Sequence, residues 1–240
     1  MYTKANARLE CLKKNIAGIR ACINEACAAT GRKSSEITLM AVTKYASEED
    51  IRLLISLNSI TEVGENKVQS VKSRWEEGNL SDLRKKICLH LIGHLQTNKA
   101  KTAVQIFDSI DSIDSIKIAS AVNRHAAEAG KIMPALIQVK ISGSETQSGI
   151  ALGEAAGLLN AVRQMKNIDI RGYMAIAPAH VQPEEIKKAF LEVKKIFDRD
   201  FKQCASPGKT YVLSLGMSGD YMEAIYAGST MIRIGSAIFK

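Results

Sequence analysis

Three places in this 240-residue sequence carry residue types that could do chemistry together. The first is Lys44, at the end of the apolar run Leu39-Met40-Ala41-Val42-Thr43. A lysine at that position has two readings. Either it marks where a buried strand meets water, or it is a desolvated amine able to form a Schiff base with an aldehyde. The second place is Gly216-Met217-Ser218-Gly219, and the third is Gly235-Ser236, two residues beyond Arg233. Such turns are ordinary strand-to-helix connections, yet they also offer backbone N–H groups, hydroxyls and a helix N-terminus to an anion such as phosphate. An amine set beside a phosphate cradle would span a compact phosphorylated aldehyde. Glu65 and Asn66 would orient the amine or its ligand, or simply open a helix, and His94 is a general acid or a hydrogen-bonding surface group.

These residues lie almost two hundred positions apart, so the elements between them decide whether they meet. Apolar runs without alternation fall at 38–43, 60–63, 88–92, 106–110, 134–141, 168–176, 211–215 and 231–234. Each reads as a strand covered on both faces, as in a parallel sheet. Helical patterns alternate with them. Residues 4–29 place Leu9, Leu12, Ile16, Ile19, Ile23 and Ala26 on one face, with Gly31 as the stop. A helix over 47–58 starts at Ser47 with Glu48, Glu49 and Asp50 in its first turn. In the run DSIDSIDSI, the first part reads as strand and Ser112 or Asp114 as the cap of a helix reaching Gly130. A helix from about Leu152 to Met165 and another from Pro183 to about Gln203 complete the pattern.

Eight such alternations predict an α/β fold, a single-domain (β/α)8 TIM barrel over 1–240, with an extra N-terminal helix (1–30) ahead of the barrel (38–240). An open doubly wound sheet is the alternative, but no GxGxxG follows the first strand. Barrel enzymes and binding proteins place their sites at the C-terminal ends of the strands. That rule nominates Lys44, Glu65, Asn66, His94, Asp111, Ser142, Met174, Ser218, Arg233, Gly235 and Ser236. It also makes the first and last strands neighbours around the closed barrel, which brings Lys44 beside the glycine-serine turns.

Composition narrows the classes. Hydrophobic residues make up 46% and charged residues 24%, which describes a globular chain with a sizeable core. No run is long enough to cross a bilayer and the N-terminus lacks the apolar core of a signal peptide, so the expected location is cytoplasmic. The net charge of +8 comes from lysines dispersed along helices without an aromatic stacking motif, which reads as a solvated face rather than a nucleic-acid surface. Cys11, Cys22, Cys27, Cys88 and Cys204 contain no CxxC pair and are read as reduced packing residues. The histidines at 90, 94, 125 and 180 show no metal-ligand spacing, so no metal is expected.

The motifs AVTK (41–44), GEN (64–66), HLIGHLQTNK (90–99), Gly172-Tyr173-Met174, LSLGMSGD (213–220) and AGSTMIRIGSAIF (227–239) closely resemble the pyridoxal 5′-phosphate homeostasis proteins, also called proline synthetase co-transcribed proteins. The resemblance covers essentially the whole chain. It implies a barrel like the N-terminal domain of alanine racemase, with pyridoxal phosphate held by Lys44 as an aldimine. It further implies Asn66 and Met174 near the cofactor, Ser218, Gly235 and Ser236 on the phosphate, and Arg233 facing the pyridine nitrogen. Two departures stand out: Gln147 where members often carry lysine, and Val63 in place of the phenylalanine of FGEN. The implied role is buffering or delivery of the cofactor, and balance of amino-acid and keto-acid pools, by a monomer that serves pyridoxal phosphate-dependent apo-enzymes. The alternative is an amino-acid racemase. Against it, two-base racemization needs a second proton-transfer group, which alanine racemase takes from a separate β-domain, and this sequence stops at Lys240, directly after the last strand.

Overall fold

The computed structural model describes residues 4–141, 148–178, 181–201 and 209–240. Its strands are short and apolar because helices cover their outer faces while side chains fill the space inside. They are β1 (Thr38–Val42), β2 (Glu62–Glu65), β3 (Cys88–Leu91), β4 (Ser109–Ile113), β5 (Met133–Lys140), β6 (Ile150–Ala151), β7 (Ile168–Ile176), β8 (Val212–Ser214) and β9 (Met231–Ile234). All pairings are parallel. The order runs β4-β3-β2-β1-β9-β8-β7-β5, and β4 pairs with β5 to close the ring. The two-residue β6 adds only to the C-terminal end of β5. The predicted eight-stranded barrel is therefore the fold, with β1 directly beside β9.

Alternation along each strand sorts the core into two parts. Leu89, Leu91, Ile137, Val139, Tyr173 and Ala175 face outward and pack under the helices. Met40, His90, Asp111, Gln138, Met174 and Arg233 alternate with such residues and fill the barrel interior, all buried. The surrounding helices are α1 (Lys4–Ala29), α2 (Glu48–Ser56), α3 (Val68–Val71), α4 (Ala100–Ile106), α5 (Ile116–Glu128), α6 (Ala155–Val162), α7 (Pro183–Phe201), α8 (Tyr221–Tyr226) and α9 (Ser236–Phe239).

Several boundaries match the expected ones and several move. Helix α1 spans the predicted range, and Gly31 ends it at φ +68°. The Ser47 hydroxyl caps α2 by accepting from Asp50 N at 3.0 Å. The fourth strand was expected at 106–110 but lies at Ser109–Ile113, because Ile106 closes α4 with its side chain buried. The threefold DSI repeat offers the same local pattern in successive registers, so periodicity alone could not choose among them. Neither Ser112 nor Asp114 caps the following helix. Ser115 does, accepting from Ile118 N at 3.4 Å, while Ser112 is buried in β4. The second strand likewise shifts from 60–63 to Glu62–Glu65, with Ile60 buried just before it. Helix α6 is shorter than the predicted 152–165, since residues 152–154 form a tighter 3₁₀ turn. Gln203 lies outside the described residues.

Helix α1 does more than cover the barrel. Its apolar face packs with Leu54, Ile225, Ile232, Ile234 and Ile238, joining α2, α8, β9 and α9 into one cluster. Its polar side chains then reach the end of the chain. Arg8 Nη2 donates to Phe239 O at 2.6 Å, and Asn15 Nδ2 donates to Ile238 O at 2.9 Å and to Lys240 O at 3.1 Å. A four-residue helix has no partner within itself for its last carbonyls and is unstable alone. Helix α1 supplies those partners, and so fixes the turn that precedes α9.

Candidate cofactor site

A cavity of about 520 Å³ opens at the C-terminal ends of the strands, centred on β1, β2 and β9. Lys44, Asn66, Ser218, Arg233, Gly235 and Ser236 all line it. Met174 does not. It lies fully buried on β7 inside the barrel, and Ile176, two residues further on the same face, reaches the cavity instead. The difference arises because β7 is nine residues long and carries its end past the rim reached by shorter strands.

Lys44 sits in the turn after β1 and is exposed, so the apolar strand does not desolvate it as its sequence suggested. Its Nζ lies 5.0 Å from the ring centroid of Tyr45, which is itself 91% exposed. The turn is held from beneath. Buried Glu65 accepts from Thr43 Oγ1 at 2.7 Å and from Trp75 Nε1 at 3.4 Å through Oε1, and it pairs with Arg74 at 3.3 Å. Arg74 in turn donates to Ala46 O at 2.9 Å and to Thr43 O at 3.4 Å. Glu65 thus braces the turn that carries Lys44 through Thr43 and Arg74.

The anion-binding end is assembled by β8, β9 and the turns that follow them. Gly216 adopts φ +90°, and a Cβ there would lie 2.6 Å from Ala224 Cβ, so the tight turn admits only glycine. Asp220 Oδ1 accepts from Met217 N at 2.5 Å and shapes the same loop. Burial raises the Asp220 carboxyl above its usual pKa, opposed by that N–H and by Arg233. The loop presents Ser218, whose Oγ accepts from Gly235 N and Ala237 N, both at 3.3 Å. Two backbone N–H groups at the start of α9 thus converge beside a hydroxyl, on the cavity wall.

Arg233 supplies a buried cation below the rim. Its Nη1 donates to Ser214 O at 2.7 Å and to Ser214 Oγ at 2.8 Å, and its Nη2 donates to Ala175 O at 2.8 Å. Burial lowers its pKa to about 10 against the opposing fields of Asp111 and Asp220, which leaves it charged at neutral pH. Asp111 itself was expected at the rim and lies instead inside the barrel, bonded to His90 and Ser109, because β4 runs three residues later than predicted. His94 lines a separate cavity of about 160 Å³ with Lys67, Gln96 and Lys99, and sits 3.3 Å from Asp114. Ser142 and Gln147 lie outside the described residues. Met217 and Gly219, from the glycine-serine turn singled out in the sequence, also line the main cavity, and so do Tyr45, Ile92 and Phe239, which the strand-end rule did not nominate. Tyr45 adjoins the nominated Lys44, and that adjacency was the only signal for it.

Residues 8–240 match the family model of the alanine racemase N-terminal domain. The pyridoxal phosphate homeostasis protein of Pasteurella multocida (strain Pm70) is 33% identical over 230 residues, covering 95% of this chain and 96% of that protein. This chain belongs to the pyridoxal phosphate homeostasis protein family. A protein of Bifidobacterium adolescentis, described as unknown, superposes with a TM-score of 0.88 at 29% identity, over 98% of this chain and 96% of its own. PipY of Synechococcus elongatus PCC7942, solved with PLP bound, superposes with a TM-score of 0.76 at 31% identity, over 91% of this chain and 100% of its own. The family's departure at Val63 is fully buried on the outer face of β2 and does not line the cavity.

Proposed function

We propose that this chain binds pyridoxal phosphate and acts in its homeostasis, holding and releasing the free cofactor rather than turning over a substrate. The observation that carries this reading is one cavity lined by an accessible amine, a convergent pair of N–H groups with hydroxyls, and a buried guanidinium. Those are the three donor types that an aldehyde, a phosphate and a ring nitrogen require, and the cavity volume accommodates a ligand of that size. When bound, pyridoxal phosphate supplies a reactive aldehyde and an electron-withdrawing ring.

The residues divide the work. Lys44, exposed on the cavity wall, would be the residue that holds the aldehyde end of the cofactor. Ser218, Ser236 and the N–H groups of Gly235 and Ala237 hold the phosphate, the Ser218 hydroxyl giving up its present acceptor role to the phosphate oxygens. Arg233 would face the ring nitrogen, where a cation with only N–H groups can donate and accept nothing. Asn66, directly after β2, would flank the ligand. The exposure of Lys44 and Tyr45 supports release: an enzyme of this chemistry encloses its reacting amine, whereas here the covalent anchor stands open to water and to partner proteins. We assign the chain as a cytoplasmic monomer that delivers the cofactor to pyridoxal phosphate-dependent apo-enzymes.

Borohydride reduction followed by peptide mass spectrometry tests the anchor. Purified protein loaded with pyridoxal phosphate should carry the label on the peptide containing Lys44, and Lys44→Ala should remain colourless. A label on Lys67 or Lys99 would overturn the assignment.

A further inference from the structure

The far end of the barrel holds a second constellation. Cys88 and His90 alternate on β3, so both side chains enter the barrel, and Glu62 opens β2 directly opposite Cys88 in the parallel register. Their ligand atoms lie within 4.8 Å of one another. His90 Nε2 is 2.7 Å from Glu62 Oε2 and 3.4 Å from Cys88 Sγ. The other ring nitrogen, Nδ1, is 2.8 Å from Asp111 Oδ2, and Ser109 Oγ donates to Asp111 Oδ1 at 2.5 Å. A carboxylate on Nδ1 is the arrangement that orients a histidine toward a metal through Nε2. Sequence spacing did not reveal it because one ligand comes from a neighbouring strand, and the other two are only a residue apart.

We propose that Glu62, Cys88 and His90 form a zinc site at the N-terminal end of the barrel strands, with Asp111 as the partner that orients His90. A thiolate, an imidazole and a carboxylate together suit zinc, whereas calcium and magnesium select oxygen ligands alone. Tetrahedral zinc with bonds of about 2.0–2.3 Å separates nitrogen from sulfur by about 3.6 Å and nitrogen from oxygen by about 3.4 Å. Cys88 already stands at that separation. Glu62 must retreat by roughly 0.7 Å to reach it, and its side chain, 25% exposed, has the freedom to do so. The ion displaces the thiol proton and the Nε2 proton to solvent, and a water completes the fourth position on the exposed side of Glu62. At this end of a barrel, built features support stability rather than chemistry. The ion therefore clamps β2 to β3 and takes no part in holding the cofactor.

The test uses the full chain, stripped with chelator and titrated with zinc(II), and with cobalt(II) as a spectroscopic probe. We expect one equivalent to bind, a thiolate-to-cobalt charge-transfer band, and a higher melting temperature with zinc. Cys88→Ser should abolish the band and the thermal shift, while Cys22→Ser keeps both. Ser109→Ala, which frees Asp111, should weaken binding on the order of 10-fold. Should Cys88→Ser fold poorly, the unmodified chain gives the same answer: zinc should protect Cys88 from alkylation and leave Cys22 reactive. Absence of stoichiometric binding, or a band that survives Cys88→Ser, or alkylation of Cys88 unaffected by zinc, overturns the proposal. Pyridoxal phosphate retention, measured alongside, should be the same for Cys88→Ser and the unmodified chain; a joint loss of metal and cofactor would assign these residues to the fold alone and likewise overturn it.

Discussion

Replacing Arg8 with alanine should weaken both the fold and the phosphate end of the cavity, although Arg8 does not itself line the cavity. Its guanidinium meets Asp50 at 2.7 and 2.9 Å and donates to Phe239 O at 2.6 Å. The ion pair is partly accessible, with side-chain exposures of 29% and 17%, so its contribution falls near the upper end of the surface range, about 1 kcal/mol. The bond to the α9 carbonyl adds about 1 kcal/mol. The sum, about 2 kcal/mol, should lower the urea midpoint by roughly 0.7 M if the slope is about 3 kcal/mol per molar. The sign of the pH dependence is fixed by Asp50, whose carboxyl is held below its usual pKa by hydrogen bonding to Arg8, against burial. Its stabilising part is present above the unfolded-state value of about 3.9 and is lost as pH falls through the depressed folded value. The gap between Arg8→Ala and the unmodified protein should therefore narrow to about 1 kcal/mol in strong acid, where only the carbonyl bond distinguishes them. Because that bond anchors α9, the variant should also retain pyridoxal phosphate less well while binding pyridoxal unchanged. Unaltered urea midpoints, or a gap that stays constant into acid, would refute this account of how α1 supports the site.

Other perturbations test the remaining parts. Gly235→Val should weaken retention of pyridoxal phosphate with little effect on pyridoxal, since even a Cβ at that position comes within 3.2 Å of Val42 O; equal loss of both ligands would mean that the turn is purely structural. Tyr173→Phe removes a hydroxyl that donates to Asp200 at 2.6 Å while keeping the ring edge-on to Phe201, and should cost about 1.5 kcal/mol in urea unfolding. No change there would place the Asp200 charge wholly with Arg199. Exchange of the α-proton of alanine in deuterated water should proceed barely above the rate of free cofactor. Turnover on the order of 1 s⁻¹ would replace the carrier reading with a racemase-like one.

The fold was legible wherever a local pattern had a single solution. Residues 38–42 and 168–176 have one apolar run each, and the strands fall there. Ser47 followed by three acidic residues has one sensible role, and it caps a helix. At 106–115 the repeated DSI triplet has three equivalent registers, and the choice was made by burial of Ile106 against the helix layer, a tertiary fact absent from the local pattern. The cavity residues were legible for the same reason as the barrel: the rim rule needs only the ends of strands. It failed for Met174 because β7 overshoots the rim, and for Asp111 because its strand was misplaced. The Arg8–Phe239 and Glu62–His90 contacts, which join residues far apart in sequence, had no local signal at all.

The buried guanidinium explains why this cavity should hold its ligand without driving it onward. An electron sink works furthest when the ring nitrogen is protonated, and that requires a partner able to keep a proton on it, such as a carboxyl group. Arg233 is the only ionisable side chain among the described residues that lines the cavity from inside the barrel; its Nη1 donates to Ser214 and its Nη2 to Ala175, three of the five N–H donors of a guanidinium. Burial brings its pKa down to about 10, far enough to show strong desolvation and not far enough for it to lose its charge near pH 7. In the position proposed for it, a charged guanidinium would repel a second positive charge on the nitrogen, and its N–H groups can only donate. Asp111, an interior carboxylate whose field acts on Arg233, is not free to intervene, because His90 and Ser109 occupy both of its oxygens. Asp111 is thus engaged by His90 and Ser109, and Arg233, in the role proposed for it, would present a cation to the ligand and leave later proton transfers without a partner from below.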